Sequence, residues 1–332
     1  MNPIQSTVSL EEIYSPIEQD IQKIPVAINS ILSTNNELAQ DVIQYFFSAR
    51  GKLLRPALVL LSSRLKSKSG TAEDKLLKLA ASYEIFHAAT LVHDDIIDSA
   101  YVRRNLPTVN VKWDAQTAVL VGDFLHDCAI RTIYECGSSK IFSRFLQTAG
   151  TVCDGEIHEL NEKFNFDLTE NEYLEIIRKK TAVLLACCTE AGGLYAGLTE
   201  VETQALWDFG IQFGLAFQIV DDCLDFMGNE NEFGKTLGAD CTAGVLTLPL
   251  IRLLSVLDSK KRKTMTDMFT QTGNEKFKNI LSAIHEHGTL DYSLQKARQH
   301  SENAKKALSK IQEGSLRQSF EKLLDYVLER NR

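Results

Sequence analysis

Proline is scarce in this 332-residue chain: there are six, and none falls between Pro107 and Pro249. Proline removes a backbone donor and clashes with the preceding turn, so that long interval, rich in Ala, Leu, Glu and Ile, is free to form long helices. Alternating runs of Val, Ile and Thr are also scarce, which argues against strands. There is no excess of basic charge. The formal net charge is −8, and a nucleic-acid partner, which needs a basic face, is not expected. No apolar run reaches the ~20 residues of a bilayer span. The most apolar long stretch, 181–198, contains Glu190 and three glycines and reads as a buried core helix. The start lacks the basic-then-apolar order of a secretory signal. It is not acid-poor like a transit peptide either, because Glu11, Glu12, Glu18 and Asp20 arrive early. A cytoplasmic protein is expected. The seven cysteines are odd in number and include no C-x-x-C pair, so neither a disulfide framework nor a zinc site is expected.

Apolar residues recur at helical spacing over 76–98 and 205–226, each predicted as one continuous helix. Stripes at Ala304, Ala307, Leu308 and Ile311, and at Leu316, Phe320, Leu323, Leu324 and Val327, predict amphipathic helices near the end. Gly, Ser, Asn and charge cluster at 66–70, 137–140, 228–234 and 271–275. These are loop signals, and none has the look of an interdomain linker. The expectation is one all-α domain over residues 1–332, with ten or more helices.

Two carboxylate clusters end the two long apolar helices. Asp94, Asp95 and Asp98 form one DDxxD; Asp221, Asp222 and Asp225 form the other. On a helix, residues four apart share a face, so Asp94 pairs with Asp98 and Asp221 with Asp225. Acids at a helix C-terminus oppose the macrodipole and repel one another, a poor arrangement for purely structural residues. Paired hard oxygens suit Mg²⁺, which takes one or two carboxylates and fills its shell with water and substrate phosphate. Cations suited to a diphosphate also occur: Lys52 and Arg55 in GKLLRP, Arg103 and Arg104 after the first cluster, Lys179 and Lys180, and Lys235. Glu84-x-x-His87 is half of a di-iron pattern, but no other histidine has Glu three residues before it.

The order of these segments resembles the trans-prenyl diphosphate synthases, from about residue 38 to the end. The signposts are GKLLRP, HAATLVHDDIID with Arg103-Arg104, VGDF at 121–124, Gly155-Glu156, Lys180-Thr181, FQIVDDCLD, GKTLGAD, TLPLIRLL and the late YSLQKARQHSENAKKAL stretch. The resemblance implies an all-α isoprenoid-synthase bundle around a deep central crevice, working as a homodimer. It implies about three Mg²⁺ ions, with Asp94, Asp98 and Asp221 as ligands and Asp95 and Asp225 in support. Arg103, Lys235 and Lys180 would hold the allylic diphosphate. Lys52, Arg55, His87 and Arg104 would hold isopentenyl diphosphate. Thr181 and Gln218 would face a developing carbocation. One departure stands out: where the family often has a second Gly-Lys before the TLP segment, this chain has Gly244-Val245. That removes one phosphate contact and leaves open a non-catalytic partner subunit. A terpene cyclase is the other alternative, disfavoured by the second DDxxD and by Lys52, Arg55 and Arg104.

Product length depends on the face of the first helix behind Asp94. Farnesyl-length members tend to carry aromatics four or five residues before the first aspartate, where this chain has Thr90 and Ala89. An open tunnel and a long-chain product of about C30 to C50, of the octaprenyl or solanesyl type used for quinone side chains, are expected. Shorter geranylgeranyl or farnesyl products are the alternative. Phe86, about two turns back, either stops growth near twenty to twenty-five carbons, turns aside, or is ordinary core.

Overall fold

The computed structural model describes residues 8–49, 51–66, 73–227, 241, 243–269 and 274–329. Helices α1 (Leu10–Tyr14), α2 (Glu18–Ile21), α3 (Ile24–Ile31), α4 (Glu37–Ser48) and α5 (Leu54–Arg64) lead into α6 (Asp74–Ile97). A small hairpin, β1 (Val102–Arg103) with β2 (Leu106–Pro107), follows. Then come α7 (Val109–Lys112), α8 (Ala115–Glu135), α9 (Ser139–Asn161), α10 (Glu170–Ile177), a π-helical turn (Arg178–Ala182), α11 (Val183–Tyr195) and α12 (Glu200–Met227). The described chain closes with α13 (Leu248–Val256), α14 (Ser259–Phe269), α15 (Asn274–Glu286), α16 (Thr289–Leu308) and α17 (Ser315–Glu329).

The fold is all-α, as expected; α6 starts two residues before its predicted bound and ends one residue short of it, and α12 extends beyond its predicted bounds at both ends. Local sequence explains several of their starts. Asp114 accepts from the Thr117 N–H at 2.7 Å to cap α8, and Thr169 with Glu172 forms a capping box on α10. Ser138 caps α9, so the loop predicted at 137–140 is shorter than its composition suggests. The predicted loop at 228–234 and most of that at 66–70 lie outside the described residues.

α6 and α11 are the centre of the bundle. Nearly every residue of α11 from Val183 to Gly193 is buried, and α6 is buried on most sides from Leu76 to Val92. A helix apolar all round belongs in the middle of a large core. α11 packs on α5, α9 and α12; α6 packs on α5 and α8; α12 is also covered by α16. The α11–α12 contact is close because α12 is glycine where it crosses: a Cβ at Gly210 would lie 2.3 Å from the Ala186 Cα. No helix among the described residues is long and apolar enough to cross a membrane. The seven cysteines are free, and all but Cys153 are buried.

Candidate active site

The second aspartate of each cluster is the buried one, and each is held by the protein itself. Asp95 is 2% exposed. Arg103 Nε donates to both of its carboxylate oxygens at 2.9 and 3.0 Å, and the guanidinium makes a further contact at 2.8 Å. Asp222 is 6% exposed. The Tyr173 hydroxyl donates to its Oδ2 at 2.6 Å and Gln218 Nε2 to its Oδ1 at 2.8 Å. The first and last aspartates of each cluster face outward to a greater degree: Asp98 and Asp221 are exposed, Asp94 and Asp225 half-buried. A heptad-free helix explains the split, because position two of DDxxD lies about 100° round from position one.

One turn joins the two clusters. Arg178–Ala182 is wound as a π-helix, a form that recurs at functional sites because its widened turn displaces side chains from the regular helical positions. Thr181 donates to Gln218 Oε1 at 2.8 Å, completing a line from Thr181 through Gln218 and Asp222 to Tyr173. Asp222 draws the Gln218 amide nitrogen toward itself and leaves the amide oxygen on the Thr181 side. The neighbouring Lys180 reaches the first cluster. Its Nζ lies 2.9 Å from Glu156 and 2.6 Å from Glu159 on α9, with Asp94 close by. Burial disfavours the Lys180 ammonium, but Glu159, Glu156 and Asp94 outweigh it and hold its pKa above the ordinary lysine range. α9 can come this near because Gly155 has no side chain: a Cβ there would lie 2.7 Å from the Lys180 backbone nitrogen.

A divalent cation suits these residues. Burial, with Glu156 and Asp98 nearby, pushes the Asp94 carboxyl up to about 7. The carboxylates are therefore crowded at an electrostatic cost that a bound dication would remove. No three His, Cys, Asp or Glu among the described residues converge closely enough to hold an ion. An ion here would use one or two carboxylates and leave room for water or substrate phosphate, which is how Mg²⁺ binds.

A second cationic group lies beside the first cluster. Arg104 and Asn105 form the tip of the hairpin with φ of 51° and 63°, the left-handed pair that a two-residue hairpin turn requires. The Arg104 guanidinium rests against Gly51 and donates to the Ala49 carbonyl at 2.8 Å. Arg55, His87 and Arg104 share one electrostatic neighbourhood with Glu84. Burial first, and then Arg55, Arg104 and Arg103, keep His87 well below its usual pKa, so it is a neutral donor or acceptor at pH 7. Burial raises the Glu84 pKa while Arg55 and Arg104 oppose the rise. Glu84 is the buried carboxylate whose charge Arg55 and Arg104 feel. Lys52 stands apart, its ammonium 5.5 Å from the Tyr326 ring centroid, on a loop whose Lys52 carbonyl accepts from Tyr14 at 3.0 Å. Lys235 lies outside the described residues.

Phe86, Thr90 and Asp94 follow one another along α6 at four-residue spacing, with Asp98 at its C-cap, and the innermost of them is the most buried. Asp98 is exposed, Asp94 and Thr90 are half-buried, and Phe86 is 1% exposed. Phe86 packs edge-on against Phe145 at 5.1 Å and tilted against His126 at 5.4 Å. Tyr83 also meets Phe145, edge-on at 5.6 Å. Ala89, at 2% exposure, is inside the core.

Tyr173, Glu159 and Tyr14 were not legible in the sequence, because each acts on a residue far away along the chain. Glu84 and Glu156 were visible beside the motifs, but their partners were not. Replacing Tyr173 by Phe should cost about 1.5–3 kcal/mol, the worth of a buried hydrogen bond to a charged acceptor. Urea unfolding reads this directly, and an unchanged midpoint would mean that Asp222 does not depend on Tyr173.

Comparison with known proteins adds an independent line. The polyprenyl synthetase family model matches residues 36–286. The all-trans-nonaprenyl-diphosphate synthase (geranyl-diphosphate specific) of Rhodobacter capsulatus is 33% identical over 320 residues, 96% of this chain and 98% of that protein. The heptaprenyl diphosphate synthase component 2 of Geobacillus stearothermophilus is 32% identical over 83% of this chain and 85% of its own. A polyprenyl synthase from Caulobacter crescentus CB15, solved in complex with calcium and isoprenyl diphosphate, shares the fold with a TM-score of 0.92 at 31% identity, over 99% of this chain and 100% of that one.

Proposed function

The chain belongs to the polyprenyl synthetase family, and from that premise we propose that it is an all-trans polyprenyl diphosphate synthase condensing isopentenyl diphosphate head-to-tail with an allylic diphosphate. The observation that carries this reading is the π-helical turn, which brings Lys180 to the first aspartate cluster and Thr181 to Gln218 beside the second. Asp94, Asp98 and Asp221 would hold about three Mg²⁺ ions with the allylic diphosphate, and Asp225 would assist. The metal, when bound, neutralises the departing diphosphate so that the allylic C–O bond can ionise. Asp95 aims Arg103, and Glu156 and Glu159 aim Lys180, at that diphosphate; Lys235 is assigned to it as well. Arg55, His87, Arg104 and Lys52 would hold isopentenyl diphosphate with its double bond near the cation. Thr181 and Gln218 present oxygen dipoles to the positive charge, with Gln218 oriented by Asp222. The departing diphosphate takes the proton lost after attack, and no side-chain nucleophile is required.

The same proposal covers one domain, a cytoplasmic setting and a homodimer. Leu120 and Tyr134 on α8, with Leu146, Ile157 and Leu160 on the adjacent α9, are large exposed apolar residues, and they form a stripe on each helix suited to a second copy. The product is proposed to be long, about C30 to C50. Its support is the small, half-buried side chain of Thr90 one turn behind Asp94 and the relatives named nonaprenyl and heptaprenyl synthases. A chain of that length passing along this face requires Phe86 to leave Phe145 and His126. Purified chain given farnesyl diphosphate, excess isopentenyl diphosphate and Mg²⁺ should yield products well beyond farnesyl length by mass analysis, and should sediment as a dimer. Products no longer than farnesyl diphosphate would sink the long-chain reading. Val245 and the relative named as a component of its enzyme favour one second reading, a subunit that needs a partner. Inactivity of the chain alone, in intact folded form, would select it.

A further inference from the structure

Two residues beyond the end of α9 stands a lysine that no motif singled out. Lys163 Nζ lies 3.3 Å from Asp98 Oδ1, and its side chain is only 19% exposed. The turn that carries it is firmly built. Phe164 has a φ of 61°, and its N–H donates to the Gly244 carbonyl at 2.8 Å. Gly244 itself has a φ of 80°, and a Cβ there would fall 2.5 Å from the Phe164 ring, so only glycine fits. On the far side of the turn, Arg262 donates to the Phe166 carbonyl and to Asp167, both at 2.7 Å. The residue after Gly244 is Val245. The lysine turn is thus fastened to the segment in which a lysine is missing.

The cations around the first cluster are not equally committed. Arg103 is held by two oxygens of buried Asp95, and Lys180 is held by Glu156 and Glu159. Lys163 has one longer contact, to a carboxylate that is itself 43% exposed. A lysine has four rotatable bonds and a compact charge that can follow an arriving phosphate. Because it is loosely held beside Asp98, it can exchange that carboxylate for a diphosphate bound at the cluster.

We propose that Lys163 is an allylic-diphosphate-binding residue, supplying from the 162–168 turn the cation that position 245 lacks. This rests on the reading of the first cluster as the allylic diphosphate site. The bland alternative is a half-exposed ion pair that contributes little to stability and nothing to binding.

The test separates the substrates. With Mg²⁺ present, farnesyl diphosphate and isopentenyl diphosphate are varied in turn, and the slowly ionising analogue farnesyl thiolodiphosphate is titrated by calorimetry. Lys163→Ala should raise KM for farnesyl diphosphate and Kd for the thiolo analogue about tenfold, the loss of one charge-assisted hydrogen bond. KM for isopentenyl diphosphate should stay within about twofold of wild type, since its proposed cations are elsewhere. Lys163→Arg should keep most of the affinity, and Val245→Lys added to Lys163→Ala should regain it. Unchanged farnesyl affinity in Lys163→Ala overturns the proposal. Equal loss for both substrates also overturns it, because that marks a displaced turn. Failure of Val245→Lys to restore affinity removes the link to position 245. A wild-type chain with no turnover counts against the parent reading alone, and the calorimetric comparison still decides Lys163.

Discussion

Asp94→Ala and Asp221→Ala should each lower turnover about a thousandfold or more, because each removes a carboxylate proposed to hold the metal that offsets diphosphate charge at ionisation. The fold should survive both. Asp221 is exposed, and loss of a surface side chain costs little. Asp94 is a stronger case. Burial and the neighbouring Glu156 and Asp98 disfavour its charge, so alanine removes a repulsion along with a ligand. Its thermal midpoint without metal should hold or rise while activity collapses. Wild type should gain thermal stability when Mg²⁺ and pyrophosphate are added together, since a ligand bound only to the native state stabilises it. Asp94→Ala should lose most of that gain. Two variants that both keep turnover within about tenfold of wild type would remove the metal assignment, because no ligand of an ionising site is that dispensable.

The second large effect is on product length. Thr90→Phe should shorten the product to farnesyl or geranylgeranyl length while leaving the midpoint close to wild type. Thr90 lies one turn behind Asp94 and is half-buried, where Ala88 and Ala89 are buried. A phenyl ring there would fill space that a growing chain must cross. Ala89→Phe is a different experiment. Ala89 is 2% exposed, so the added ring overpacks the core at a cost of about 1–3 kcal/mol. Any shortening in that variant would come with reduced stability. The readout is the mass distribution of products from farnesyl diphosphate and excess isopentenyl diphosphate, beside a thermal melt. A Thr90→Phe enzyme whose products match wild type in length would show that the chain grows along another face.

Phe86 shows where sequence reasoning reached its limit. Its position on the face of Asp94 followed from helical periodicity alone, but three roles remained open: floor, gate and ordinary core. Its contacts with Phe145 on α9 and His126 on α8 narrow the choice, since a side chain clamped between two neighbouring helices cannot turn aside without breaking both contacts. Ala89 and Thr90 looked equivalent in the sequence. Only packing told them apart: Ala89 is buried in the core, whereas Thr90 is half-buried.

Fold class was determined locally. The absence of proline over most of the chain, the apolar periodicity of α6 and α12, and the capping residues all act within a few residues of themselves, so a single chain can be read for them. The aspartates and most of the cations were legible for the same reason, since their spacing is a property of one helix or one turn. The division of labour among them was not. Asp95 belongs to Arg103, Asp222 to Tyr173 and Gln218, Lys180 to Glu156 and Glu159, and Lys163 to Asp98. Five of these six partners lie on a different element from the residue they serve, and a pairing between elements depends on how helices pack. The π-helical turn was hidden as well, because its five residues have ordinary helical character and the wider winding is settled by what Lys180 and Thr181 meet on α9 and α12. Local composition determined which groups this protein has and which helix bears them. Tertiary packing decided which carboxylates are exposed and which are buried against a neighbour, because burial and charge pairing are properties of the assembled bundle.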